Sequence, residues 1–325
     1  MSESRIAMGS FDVVTEAGTQ EAAIQPASLW RDAFHSLLRN RSAQIGLFIL
    51  GVLLFVAIFA PLIAPYDPID YLDPDNTTRT PPCIHLLGCP DDQPQHLFGL
   101  DSNGRDLFSR VVYGAQVSLF IGLATVTFGI VVGTLIGAVA GYLGGWFDNL
   151  VMRFMDVLLA FPSLLLAIAL VAILRPIIVE GGLSPLVPAL FAIGFVSIPV
   201  YARIVRSSVL SIKEQDYVAA DRALGVSRAR ILFRRIVPNS LTPLIVAGTL
   251  GIATAILDAA ALGFLGLGQQ PPHPEWGAML GVERASVFNA PHLLIFPGLA
   301  IMLTVLAFNL LGDGLRDALD PRLHR

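Results

Sequence analysis

The chain has 325 residues, of which 54% are hydrophobic and only 14% charged, and its formal net charge is −4. A soluble domain carries roughly 25% charged residues, so this composition excludes an ordinary water-soluble globule and leaves apolar surface for lipid. Its basic residues are arginines apart from one lysine, Lys213, and this balance argues against nucleic acid, whose recognition needs clustered basic residues on an exposed face.

Residues 1–27 are small and polar and lack the apolar stretch of a cleaved signal peptide. They are expected to form a disordered tail. In residues 28–44, Leu29, Trp30, Ala33, Phe34, Leu37 and Leu38 recur at helical spacing against Arg31, Asp32, Arg39 and Arg41. That pattern predicts an amphipathic helix on a membrane surface.

About 20 apolar residues cross the roughly 30 Å of bilayer hydrocarbon, where every backbone group must be bonded within its own helix. Six segments qualify: 45–64, 117–142, 157–174, 183–201, 241–268 and 293–311. The fold class expected is therefore all-α, a polytopic protein with one span ahead of a loop at 65–116. A core of five spans follows over 117–312, and a tail over 313–325. Within these segments Asp258 is the one charge, and a carboxylate at that depth is a functional candidate by default. Phe161 and Pro162 lie a few residues into the third segment, where proline removes a backbone hydrogen bond and bends the helix.

Arginine and lysine mark the cytoplasmic side of a membrane protein. Four precede the first span, Arg153 follows the second, eight lie between Arg203 and Arg235, and three end the chain; these sixteen oppose five on the other side. Both termini are thus expected in the cytoplasm, and 65–116 outside. That outer loop contains both cysteines, Cys83 and Cys89. An oxidising compartment permits a disulfide; free thiols, or a metal with His85 and His96, stay open, although the spacing is not that of paired zinc ligands. Asp101 is expected to cap a helix starting near Ser102, with Leu107, Phe108, Val111, Val112 and Val117 laid on the outer surface and Arg105 paired with Asp106.

The long charged segment between spans is 214–238. Its first helix, 214–224, starts with the acids Glu214 and Asp216, carries the small residues Ala219, Ala220 and Ala223, and ends at Gly225. A second, capped by Ser227, sets Ile231, Leu232, Ile236 and Val237 against Arg228, Arg230, Arg234 and Arg235 and stops at Pro238. Physics alone leaves open a basic loop resting on anionic lipid.

The segment Ala219-Ala220-Asp221, Gly225 and Arg235-Ile236-Val237-Pro238 resembles the cytoplasmic signature of the permeases of binding-protein-dependent ABC importers. Phe98 to Asp106, Ala160-Phe161-Pro162-Ser163, Phe264 to Gly268 and Gly312 to Pro321 resemble the C-type permease of oligopeptide and dipeptide importers. The resemblance implies the type I ABC importer permease fold in a bacterial inner membrane. It implies coupling to an ATPase through Glu214, Asp216, Tyr217, Ala220, Asp221, Ala223, Leu224 and Gly225. Asp258, the intramembrane charge, and Phe161 and Pro162, the proline bend, are the translocation-path candidates on physical grounds. The resemblance also implies as partners a second permease, two ATPase subunits that use ATP and magnesium, and an external peptide-binding protein. No catalytic residue, metal or cofactor is expected in this chain, since no Gly-Lys-Ser/Thr run or His-Glu-x-x-His occurs in it. Nickel, glutathione or another small solute is the alternative cargo, and a secondary transporter the more distant reading.

Overall fold

The computed structural model describes residues 34, 36–72, 79–92 and 94–319. The expected tail of residues 1–27, much of the surface helix of 28–44 and the end of the tail at 313–325 fall outside the described residues. Nine helices of eight or more residues organise the described chain: α1 (Arg41–Ile58), α2 (Leu107–Leu143), α3 (Gly145–Ala160), α4 (Ser163–Glu180), α5 (Val187–Ile212), α6 (Asp216–Ala223), α7 (Leu241–Phe264), α8 (Trp276–Glu283) and α9 (His292–Leu319). Six of them, α1, α2, α4, α5, α7 and α9, are long and apolar enough to cross a membrane. Among the described residues β pairing is limited to two isolated bridges, Cys83 with His96 and Leu100 with Asp106.

Contacts between helix ends define the two sides of the bundle. Asn40 caps α1 by accepting from the Ser42 and Ala43 amides and donates to Asp317 near the end of α9 at 3.0 Å. The start of α1 and the end of α9 therefore share one side, here the terminal side. Lys213, just past α5, donates to the Gly141 carbonyl near the end of α2 at 3.1 Å, joining those two ends. At the opposite, loop side, Gln116 in the early turns of α2 donates to Ala57 near the end of α1 at 2.7 Å.

The central packing is α2 against α5, the most extensive helix contact in the chain. Gly129, Gly133, Gly137 and Gly141 repeat at every fourth residue of α2 and lie against Ser197, Tyr201, Ala202 and Arg206 of α5. Within a bilayer there is no hydrophobic gain from pairing two apolar helices, so close backbone approach through small residues is what holds them. Ala192, Ala202, Val205 and Val209, all fully enclosed, complete the seam on the α5 side.

Several sequence expectations shift. The surface helix of 28–44 does not run through: residues 36–39 are helical, then Asn40 breaks the chain in an extended conformation and α1 begins. The outer-surface helix and second span are one 37-residue helix, α2. Its apolar residues 107–117 pack into the bundle beside Trp276 and Leu293 rather than lying on the surface. The third span does not contain Phe161 and Pro162. They form the break between α3 and α4, with Phe161 extended at φ −84°, ψ 139° because the residue before proline is pushed out of the helical region. Hydropathy passed over α3, an amphipathic helix that buries Asp148, Met152 and Met155 and exposes Trp146, Leu150 and Phe154.

Candidate functional site

Between α5 and α7 the chain leaves the bundle on the terminal side. Gln215 is extended, and α6 then runs for eight residues with Asp216 in its first turn and Arg222 in its last, the arrangement that complements a helix dipole. Val218 is the buried residue of α6, fully enclosed in the main apolar cluster. Around that anchor Asp216, Ala219, Ala220, Arg222 and Ala223 face outward, as do Glu214 and Tyr217, the last 39% exposed.

Gly225 ends the helix in a left-handed turn at φ +76°. The Val226 amide bonds the Asp221 carbonyl and the Gly225 amide the Arg222 carbonyl, both at 3.0 Å, which is the Schellman arrangement that satisfies carbonyls left open at a helix end. The turn holds Leu224 out at 81% exposure. Asp221 reaches back to Arg235 at 3.0 Å, and the Asn239 amide donates to the Tyr217 hydroxyl at 3.4 Å, so the return segment braces α6. That segment is one helical run of changing pitch: a turn at Arg228–Ile231 passes into a five-residue π turn, Leu232–Ile236, and a last turn, Val237–Asn239, carries Pro238 as its second residue. The Ser227 side chain makes no capping bond.

A clamp that sequence reading missed ties α3 to α5. Asp148 of α3, buried, accepts from both Nε and Nη2 of Arg206 of α5 at 2.6 Å, and Arg203 pairs with Asp156 beside it. Partners 58 and 47 residues apart leave no local pattern to read.

The loop side is a braced corner. Cys83 and Cys89 form a disulfide with Cα atoms 5.3 Å apart. Cys83 exchanges both backbone bonds with His96 at 2.9 Å, and His96 Nδ1 lies 3.0 Å from Asp106 Oδ1. Asp106, not Asp101, caps α2, its Oδ2 accepting from the Ser109 amide and hydroxyl at 2.7 Å. Asp101 instead closes the preceding turn, accepting from the Asn103 and Arg105 amides, and it pairs with Arg105 and Arg110 at 2.8 and 3.3 Å. The expected Arg105 to Asp106 pair is thus replaced by Arg105 to Asp101, because the Gly104 turn at φ +73° folds the two together. With the cysteines bonded to each other and His96 on Asp106, the four residues that suggested a metal have other partners.

Glu275, buried at 2% exposure, caps α8 through the Gly277 and Ala278 amides at 2.7 and 2.8 Å, and burial pushes its carboxyl up to about 7. Asp258 of α7 lies apart from all these groups. It is half-buried and makes no hydrogen bond or ion pair among the described residues, next to exposed Thr254 and Leu257 on the outward face of its helix.

Residues 133–325 match the family described as binding-protein-dependent transport system inner membrane component, and residues 28–82 match the N-terminal TM domain of oligopeptide transport permease C. The chain is 47% identical over 304 residues to the dipeptide transport system permease protein DppC of Alkalihalophilus pseudofirmus, covering 94% of this chain and 92% of the relative. It is also 47% identical over 294 residues to the glutathione transport system permease protein GsiD of Escherichia coli, covering 90% and 91%. In fold it is similar to a chain of the inward-facing MetNI methionine ABC transporter, with a TM-score of 0.53 at 22% identity over 65% of this chain and 97% of that one. With its all-helical six-span bundle and the α6 loop between its fourth and fifth spans, the chain belongs to the family of binding-protein-dependent transport system inner membrane components.

Proposed function

We propose that this chain is a permease subunit of an ATP-driven peptide importer. A second permease completes the translocation path, two ATPase subunits dock at α6, and an external binding protein delivers the cargo at the loop side. Both chain ends then lie in the cytoplasm of a bacterium, with the disulfide outside. The match of residues 28–82 to the oligopeptide permease C domain, together with the dipeptide permease among its relatives, supports peptide as the cargo, and the glutathione permease relative supports glutathione as the second reading.

The observation that carries the reading is α6 itself. A helix anchored to the bundle by Val218, presenting Tyr217, Ala220 and Ala223, and ending in a glycine turn that projects Leu224, is built for a groove on another protein. Lys213 at its root bonds α2, and Arg235 and Asn239 tie it to the entry of α7, so a push on α6 reaches three spans. Asp258 and the Phe161–Pro162 break are the groups we assign to the path, the first because an unpaired carboxylate on an outward face requires water or a partner chain.

The test is Gly225→Val in the co-expressed complex. A Cβ at Gly225 meets no atom within 4 Å, so the fold bears only the left-handed strain, about 1–3 kcal/mol. Chain abundance is expected to persist while peptide uptake falls tenfold or more and ATP hydrolysis no longer responds to peptide. Normal uptake would end the coupling assignment.

A further inference from the structure

The return segment between Gly225 and α7 carries Arg228, Arg230, Arg234 and Arg235 within eight residues, with Arg222 close before them. Arg235 has Asp221 and Arg222 has the Lys213 carbonyl, but Arg228, Arg230 and Arg234 make no hydrogen bond or ion pair among the described residues. Two cavities open beside them. One of about 510 Å³ is lined by Tyr142, Leu143, Arg222, Val226, Arg228 and Ile231. The other, about 600 Å³, is lined by Asp221, Val226, Arg230, Arg234 and Arg235.

Their depth is fixed by what surrounds them. Tyr142 and Leu143 end the membrane-spanning α2, and the segment runs directly into α7 at Leu241. Ile231, Leu232 and Ile236 sink into the same apolar cluster as Val139, Tyr142 and Ile212. The arginines consequently stand where spans meet water, and exposed apolar side chains stand with them: Phe233 at 48%, Leu143 at 56% and Trp146, three residues on from Leu143, at 76%. Guanidinium groups with adjacent exposed aliphatic and aromatic surface match a molecule with an anionic head and an acyl body.

We propose that these two cavities hold the headgroups of anionic glycerophospholipids, with Arg228, Arg230 and Arg234 as the principal phosphate ligands. A phosphate offers each guanidinium two acceptor oxygens in the geometry of its paired donors. Lipid bound there wedges between the end of α2 and the return segment and so fixes the root of α6. The binding does not depend on what cargo the transporter carries or on which protein meets α6.

The full-length chain, purified in neutral detergent, is titrated with short-chain phosphatidylglycerol, with short-chain phosphatidylcholine and with inorganic phosphate, and bound lipid is read by native mass spectrometry. Phosphatidylglycerol is expected to bind and the other two to bind weakly. A basic residue near an anionic surface contributes about 1 kcal/mol, roughly fivefold in affinity. The single Arg234→Gln variant should weaken phosphatidylglycerol binding at its cavity about fivefold and the double variant with Arg230→Gln about 25-fold, while Arg228→Gln weakens the other cavity about fivefold; a triple lysine variant, which keeps the charges but loses the paired donors, should bind between the parent and the triple glutamine variant. Equal binding of the two lipids, or glutamine variants that bind phosphatidylglycerol like the parent, would overturn the proposal. So would saturation by inorganic phosphate alone, which identifies a free-anion site. Loss of a co-purified ATPase subunit with lipid binding intact would assign the arginines to a protein instead.

Discussion

Glu275 is a carboxylate enclosed by protein, and its pH behaviour follows from that. Below about pH 4.5 the group is protonated in folded and unfolded chain alike. Between 4.5 and about 7 the folded chain keeps a proton that the unfolded chain has released, and above 7 the folded chain carries a buried charge. The stability that this group contributes is therefore fullest in acid and is lost as pH rises from 4.5 to 7, by on the order of 3 kcal/mol. Glu275→Gln removes the titration while keeping an acceptor for the Gly277 and Ala278 amides. Thermal unfolding in detergent at about pH 5, near the acid end of that window, and at about pH 8, above it, should show the parent losing more stability than the variant, and parallel losses would mean that Glu275 is ionised throughout. Nothing local in the sequence marked this residue, since glutamate is a poor capping residue and its burial comes from α7, which ends at Phe264.

At the scale of elements, α2 and α5 depend on the glycine stripe. A Cβ at Gly137 would lie 2.2 Å from the Ala202 carbonyl oxygen and 2.9 Å from its Cα, backbone that no rotamer change can move. In α1, by contrast, a Cβ at Gly51 meets nothing within 4 Å. Gly137→Ala should then force the helices apart and cost about 1–3 kcal/mol, lowering folded yield and melting temperature, while Gly51→Ala leaves both unchanged or slightly raised. Size-exclusion recovery and thermal unfolding of the two variants make the comparison. The number of spans was legible because each is a run of apolar residues, and α6 with its glycine stop was legible because a Schellman turn is local. The limits of α2 and the existence of α3 were not. A helix continues through polar turns wherever tertiary packing satisfies it, and Arg110 is accommodated at the start of α2 by Asp101 and the Pro68 carbonyl, neither of which hydropathy sees.

For the whole molecule, the distribution of charge makes a claim about sidedness that one experiment can address. The contacts put α6 on the same side as the start of α1 and the end of α9, and the disulfide corner on the other. Sixteen basic residues against five favour the α6 side as cytoplasmic. Leu86, 94% exposed beside the disulfide, and Leu224, 81% exposed at the tip of α6, are probes on opposite faces. Since both cysteines of the chain are held in the disulfide, Leu86→Cys and Leu224→Cys each introduce one reactive thiol on an otherwise silent background. In intact cells, a membrane-impermeant maleimide should label Leu86→Cys, while Leu224→Cys becomes reactive only after the membrane is opened. Labelling in the reverse order would invert the protein in the membrane. It would move α6 away from any cytoplasmic ATPase, and the arginine cavities would then face the outer leaflet.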